Sequence, residues 1–186
     1  MKRIAALLLL TACNTSSPIT TSSEERAVQN AFENWRKAII AGKADQVFYG
    51  MSSAMVSEWL FVLVHNGDDA TLRKHRPRLS GQASDDLDVW YVTNKNRNTE
   101  RPSRLAMSVL GSKWILDLFT AIFELEKARA RVEYENIEVS AVYVDSLGAT
   151  VVARNKVVQA SDRYVMVYEN GWKVDGHIEP RPQLPK

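Results

Sequence analysis

The 186 residues are short of the features that usually mark a chemistry. There is one cysteine, Cys13, so neither an intramolecular disulfide nor a cysteine-based zinc site is possible within the chain. The three histidines, His65, His75 and His177, form no HExxH and no pair at helical ligand spacing, and no metal site is predicted. No GxSxG, GxGxxG or phosphate-loop sequence occurs, which lowers the expectation of hydrolase or nucleotide chemistry without excluding folds that need no signature. Asp85-Asp86-Leu87-Asp88 lacks the glycine and distal glutamate of a calcium loop and reads as a solvated acidic turn. No cofactor is expected. Charge of one sign is also missing: 24 basic residues stand against 22 acidic ones. A near-neutral body argues against nucleic acid as a partner, because non-specific binding depends on neutralising phosphates with Lys and Arg.

Long apolar runs are missing as well. The longest near the amino terminus, Ile4 to Leu10, has seven residues, whereas a membrane-spanning helix needs roughly 20. It follows the positive start Met1-Lys2-Arg3 and precedes the small residues Thr11-Ala12, which is the layout of a cleaved secretory signal. With Cys13 directly after it, Leu10-Thr11-Ala12-Cys13 is similar to the lipobox of bacterial lipoproteins. That resemblance implies cleavage between Ala12 and Cys13, a diacylglyceryl thioether on Cys13 and acylation of its new amine, so the membrane becomes a partner through lipid. Two or three chains on one residue hold a protein stably where a single chain does not. Removal of Lys2 and Arg3 with the signal leaves acidic and basic residues in balance. Asn14 in place of Asp after the cysteine implies, by the same resemblance, an outer-membrane lipoprotein facing the periplasm. Residues 14–23, with seven Ser or Thr, read as a tether. Its root-mean-square reach is about 17 Å.

The remaining stretch, 24–186, is expected to form one domain around a packed core, as 45% hydrophobic and 25% charged residues suit. Ser22 and Glu25 have capping-box spacing, and Val28, Ala31, Phe32, Trp35, Ala38 and Ile39 recur at helical intervals up to Gly42. Further helices are predicted after Ser52 or Ser53 up to Asn66-Gly67, over Leu105 to Leu110, and over Trp114 to Ala130. Ser80 to Ser84 reads as a loop, Asp88 to Thr93 as a short strand, and Asn94 to Ser103 as irregular. From Arg131 the composition turns β-branched and aromatic. Four strands are predicted at Val132 to Val144, Ala149 to Val158, Tyr164 to Tyr168 and Trp172 to His177, with Asn170-Gly171 supplying the positive φ angles of a tight hairpin. Helices first and a meander last make an α+β fold, with N-terminal helices on a curved antiparallel sheet.

A leading amphipathic helix, a helical middle and a meander closing on Tyr168-Glu169-Asn170-Gly171-Trp172-Lys173-Val174-Asp175 resemble the nuclear transport factor 2-like cone. The likeness covers about 24–50 and 131–177; the middle, from Asp68 to Ala130, is longer and more helical than in compact members. It implies a cavity between sheet and first helix, with Trp35, Trp59, Trp114, Tyr134, Tyr143 and Trp172 as candidate lining and Asp175 or His177 near the rim. Aromatic residues at core spacing also simply fill cores. Three functions are therefore open: a non-enzymatic module receiving a small apolar ligand or an envelope protein, an isomerase or hydrolase using Asp175 or His177, and a scaffold pairing through its sheet. The basic run Arg73 to Arg78 is either a solvated charge run, neutralised by the nearby acidic residues, or a contact for anionic head groups.

Overall fold

A computed structural model describes residues 22–65, 73–95 and 102–178. The signal segment, Cys13, most of the tether and Asn66-Gly67 lie outside the described residues, whereas the basic run from Arg73 to Arg78 lies within them. The fold is α+β. Helix α1 (Ser23–Ile40) opens on Ser22, whose side chain accepts from the Glu25 amide while Glu25 reaches back to the Ser22 amide, a complete capping box. It ends where Gly42, at φ 68°, turns the chain into the short helix α2 (Ala44–Gly50). Helix α3 (Ser53–His65) follows, then a 3-10 turn (Arg76–Arg78), α4 (Gly81–Asn94), the one-turn α5 (Met107–Leu110) and the long α6 (Lys113–Glu135).

Strands β1 (Ile137–Val144), β2 (Ala149–Asn155), β3 (Ser161–Tyr168) and β4 (Trp172–Ile178) form an antiparallel meander in chain order. Helix α1 packs on β1, β2 and β4, and α6 packs on α1 and α2. The core lies between them: Val28, Phe32 and Trp35 of α1 meet Val151 and Ala153 of β2, Tyr164 and Met166 of β3, and Val174 of β4. Ala83, Leu87 and Trp90 of α4 join the same cluster. Two bulges interrupt the sheet. Val139 and Ala141 oppose Ala153 and Val152, leaving Ser140 as the extra residue, and Val165 and Met166 oppose Gly176 and Val174, leaving Asp175.

Several expectations need correction. Residues 88–93, predicted as a strand, lie inside α4. Ser80 is its N-cap, accepting from the Ala83 amide, so the acidic residues 85–88 are helical rather than a turn. Helix α6 runs on to Glu135, so the first strand begins at Ile137 and not at Val132. Helix α2 lies in a stretch for which no element was predicted. The Asn170-Gly171 turn has both residues at positive φ, 53° and 120°, as the hairpin requires. No helix among the described residues is long and apolar enough to cross a membrane.

Candidate functional site

Near the start of α3 the sequence Met51-Ser52-Ser53 does three jobs. Met51 makes a parallel bridge to Val174, and the Ser52 amide donates to the Val174 carbonyl at 2.8 Å, so this segment covers the outer edge of β4. The Ser52 hydroxyl accepts from the Met55 amide at 3.0 Å, capping α3, and donates to Asp175 Oδ1. The bulge turns Asp175 inward beside Val174, and it is only 4% exposed. Ser53 binds Glu169 twice, its amide to Oε2 and its hydroxyl to Oε1, each at 2.9 Å. Arg104 Nη1 meets the same carboxyl at 3.1 Å. Ser57, one turn further, accepts from the Leu105 amide at 2.7 Å. The loop before α5 is thus tied both to α3 and to the β3–β4 turn.

These ties frame a cleft of about 520 Å³. Its apolar lining comes from Phe48, Met51 and Val56 on the α2–α3 side of the sequence and from Leu105, Met107 and Leu110 around α5. Arg104, Glu169 and Lys173 add charge to the lining, and the Lys173 ammonium donates to the Tyr49 carbonyl. Apolar walls with a few polar groups are the usual composition of a ligand site. On the other side of Tyr49 lies a more open basin of about 630 Å³, lined by Trp172, Asn34 and Gln46 together with Lys37 and Lys43.

The face of the sheet beneath α1 carries a second group of aromatic residues. Trp35 stands edge-on to Tyr134 at 5.4 Å, Phe32 lies 4.8 Å from Tyr164, and His177 stacks on Tyr164 at 4.8 Å. His177 Nε2 is 3.6 Å from Asp162 Oδ1, a long contact for an ion pair. Tyr164 is 1% exposed and its hydroxyl is buried without a hydrogen bond of ordinary geometry, although the Tyr134 phenol is near enough to influence its ionisation. Burial pushes the Tyr134 phenol up to about 12; the Glu133 and Asp162 carboxyls add to this and Tyr164 opposes it. Burial, chiefly, raises Tyr164 further still.

The candidate lining residues converge only in part. Trp35 and Trp172 both line the open basin and Trp35 also stands against Tyr134, whereas Trp114 is buried core, Trp59 packs on Phe119, and Tyr143 is 62% exposed on β1. Asp175 and His177 are separated by the bulge, the first held by Ser52 and the second stacked on Tyr164. In the basic run, Arg76 pairs with Asp88 of α4, the neutralised alternative for that residue. No group of candidate metal ligands occurs among the described residues. Set against protein-family models, curated proteins and solved structures, the chain matches none. Sequence reasoning missed Ser53, Arg104, Met107, Glu169 and Lys173 as one locality. They come from three separate stretches, and the local signals, the paired Ser52-Ser53 ahead of an apolar run and the Asn170-Gly171 turn, do not say that these stretches meet.

Proposed function

We propose that this chain is a lipid-anchored protein of the bacterial cell envelope, held through Cys13 at the outer membrane, whose nuclear transport factor 2-like domain binds an apolar ligand without transforming it. The observation that carries the binding reading is the cleft lined by Phe48, Met51, Val56, Leu105, Met107 and Leu110, mostly apolar with a few charged groups among its lining. The cone reading is supported by α1 lying across the meander with a bulge in each of β1 and β4. The space between α1 and the sheet is taken up by Phe32, Trp35 and Tyr164, so the ligand is assigned to the end of the domain rather than to the cone interior.

Of the two weak candidates for catalysis, Asp175 has surroundings that suit a fastening better than a base: it meets a capping serine that is itself fully buried. The cleft is tested with dodecanol as an apolar probe in titration calorimetry. Met107 is 72% exposed, so Met107→Glu should leave the thermal unfolding midpoint unchanged while weakening dodecanol binding about tenfold, through a charge placed in the apolar lining. Binding unaffected by Met107→Glu would rule the cleft out.

A further inference from the structure

The cleft and the basin share Tyr49, and the charges around them are one-sided. The ionisable residues lining the two depressions, apart from Tyr49 itself, are four cations, Lys37, Lys43, Arg104 and Lys173, and one carboxyl, Glu169. Arg104 and the two bonds from Ser53 already occupy Glu169. Lys37, in the last turn of α1, and Lys43, just before α2, have no ion pair among the described residues. Both stand on the basin side of Tyr49, with Asn34 and Gln46 beside them as amide donors. A mostly apolar cleft and a basic, amide-bearing basin with Tyr49 as a common lining residue have together the polarity of an amphiphile laid lengthwise.

We propose that the two depressions form one site for a single-chain anionic amphiphile: the chain lies in the cleft and a phosphate head lies over the Lys37 and Lys43 side of Tyr49. This rests on the cleft being a ligand site and adds the ligand's charge and orientation. Two lysines suit a phosphate monoester, which carries about −1.5 to −2 charge at pH 7, better than a singly charged carboxylate. Glu169, held on the cleft side by Ser53 and Arg104, leaves the basin without an opposing carboxyl in its lining.

The test uses the full chain carrying Cys13→Ala, titrated below their micelle concentrations with dodecyl phosphate, dodecanoate and dodecyltrimethylammonium, and separately with inorganic phosphate. Dodecyl phosphate should bind at least about tenfold more tightly than the trimethylammonium probe, and the advantage should shrink as salt is raised. The double variant Lys37→Gln/Lys43→Gln should lose most of that advantage while binding dodecanol as the parent does. Inorganic phosphate alone should bind far more weakly than dodecyl phosphate. Equal binding of the anionic and cationic probes, or a double variant that keeps full affinity for dodecyl phosphate, overturns the head-group assignment and leaves the cleft standing. Dodecanoate binding as tightly as dodecyl phosphate overturns the choice of phosphate. No binding by any chain-bearing probe overturns the head group and the cleft together.

Discussion

Val174 and Asp175 are neighbours in β4, yet both are buried, which a regular strand forbids because successive side chains point to opposite faces. The bulge opposite Val165 and Met166 permits it, and the Ser52 hydroxyl takes up the carboxyl so exposed to the interior. Ser52 thereby joins two elements through one oxygen, accepting from α3 and donating to β4. Replacing either residue with alanine leaves its partner buried and short of a bond, at a cost of about 1–3 kcal/mol each. The pair should also couple: in a urea double-mutant cycle, Ser52→Ala and Asp175→Ala should fall short of additivity by about 0.5 kcal/mol or more. Additivity within about 0.3 kcal/mol would mean that the bond ties nothing. The glycines give a second contrast at this scale. A Cβ on Gly148 would lie 2.6 Å from the Met166 carbonyl oxygen, a backbone atom that cannot turn aside, whereas one on Gly81 meets nothing within 4 Å. Gly148→Ala should therefore destabilise by about 1–3 kcal/mol. Gly81→Ala, in the first turn of α4, should stabilise by up to about 1 kcal/mol, and thermal melts of the two variants should move in opposite directions.

Among the elements, the helix with a clear one-sided apolar stripe and a complete cap, α1, was legible from its residues, and so was the Asn170-Gly171 hairpin. Helix α4 was not. Asp88-Val89-Trp90-Tyr91-Val92-Thr93 has the composition of a strand, and its outer residues Val89 and Val92 are exposed, so no helical stripe shows in the sequence. What holds it helical is its N-cap together with tertiary contacts: Trp90 Nε1 donates to the Ser103 carbonyl at 2.7 Å and the Ser103 amide to Asn94 Oδ1 at 2.8 Å. Partners nine or more residues away leave no local pattern. The end of α6 was hidden for a similar reason, because Val132 and Tyr134 look like strand residues while Arg36 reaches across from α1 to bond the Tyr134 carbonyl at 3.0 Å. That junction also sets an alkaline limit on stability. Free tyrosine titrates near 10.0, and both phenols at the α1–sheet interface are raised above this, Tyr134 to about 12. Below pH 10 the phenols are neutral in folded and unfolded chains alike, and their contribution is fully present. Between pH 10 and about 12 the unfolded chain sheds protons that the folded one keeps, so stability falls as pH rises, by up to about 1.4 kcal/mol per unit for each phenol. Urea unfolding at pH 9 and pH 11 should show a larger loss for the parent than for Tyr134→Phe/Tyr164→Phe. Equal losses would place the alkaline limit elsewhere.

For the molecule as a whole, the α+β class and the order of helices before meander follow from composition and periodicity, whereas the cleft depends on where α2, α5 and the β3–β4 turn meet, which no spacing encodes. The anchor is the converse case: the proposal lies entirely in Leu10-Thr11-Ala12-Cys13 and must be tested by chemistry. Its geometry joins the proposed ligand site in one respect. Helix α1 begins at Ser23, and Lys37 lies 14 residues on along it, about 21 Å at the helical rise. If Cys13 carries the proposed lipid, that length of helix separates the Lys37 end of α1 from the point where the chain leaves Ser23 towards its anchor, which would leave the basin available to ligands other than that anchor. Cys13→Ala should abolish incorporation of labelled palmitate and shift the protein out of the membrane fraction, while its affinity for dodecyl phosphate matches that of the lipidated form. Palmitate that still labels the variant, or never labels the parent, would end the lipoprotein reading. Loss of dodecyl phosphate binding together with the lipid would mean instead that the anchor itself contributes to the site.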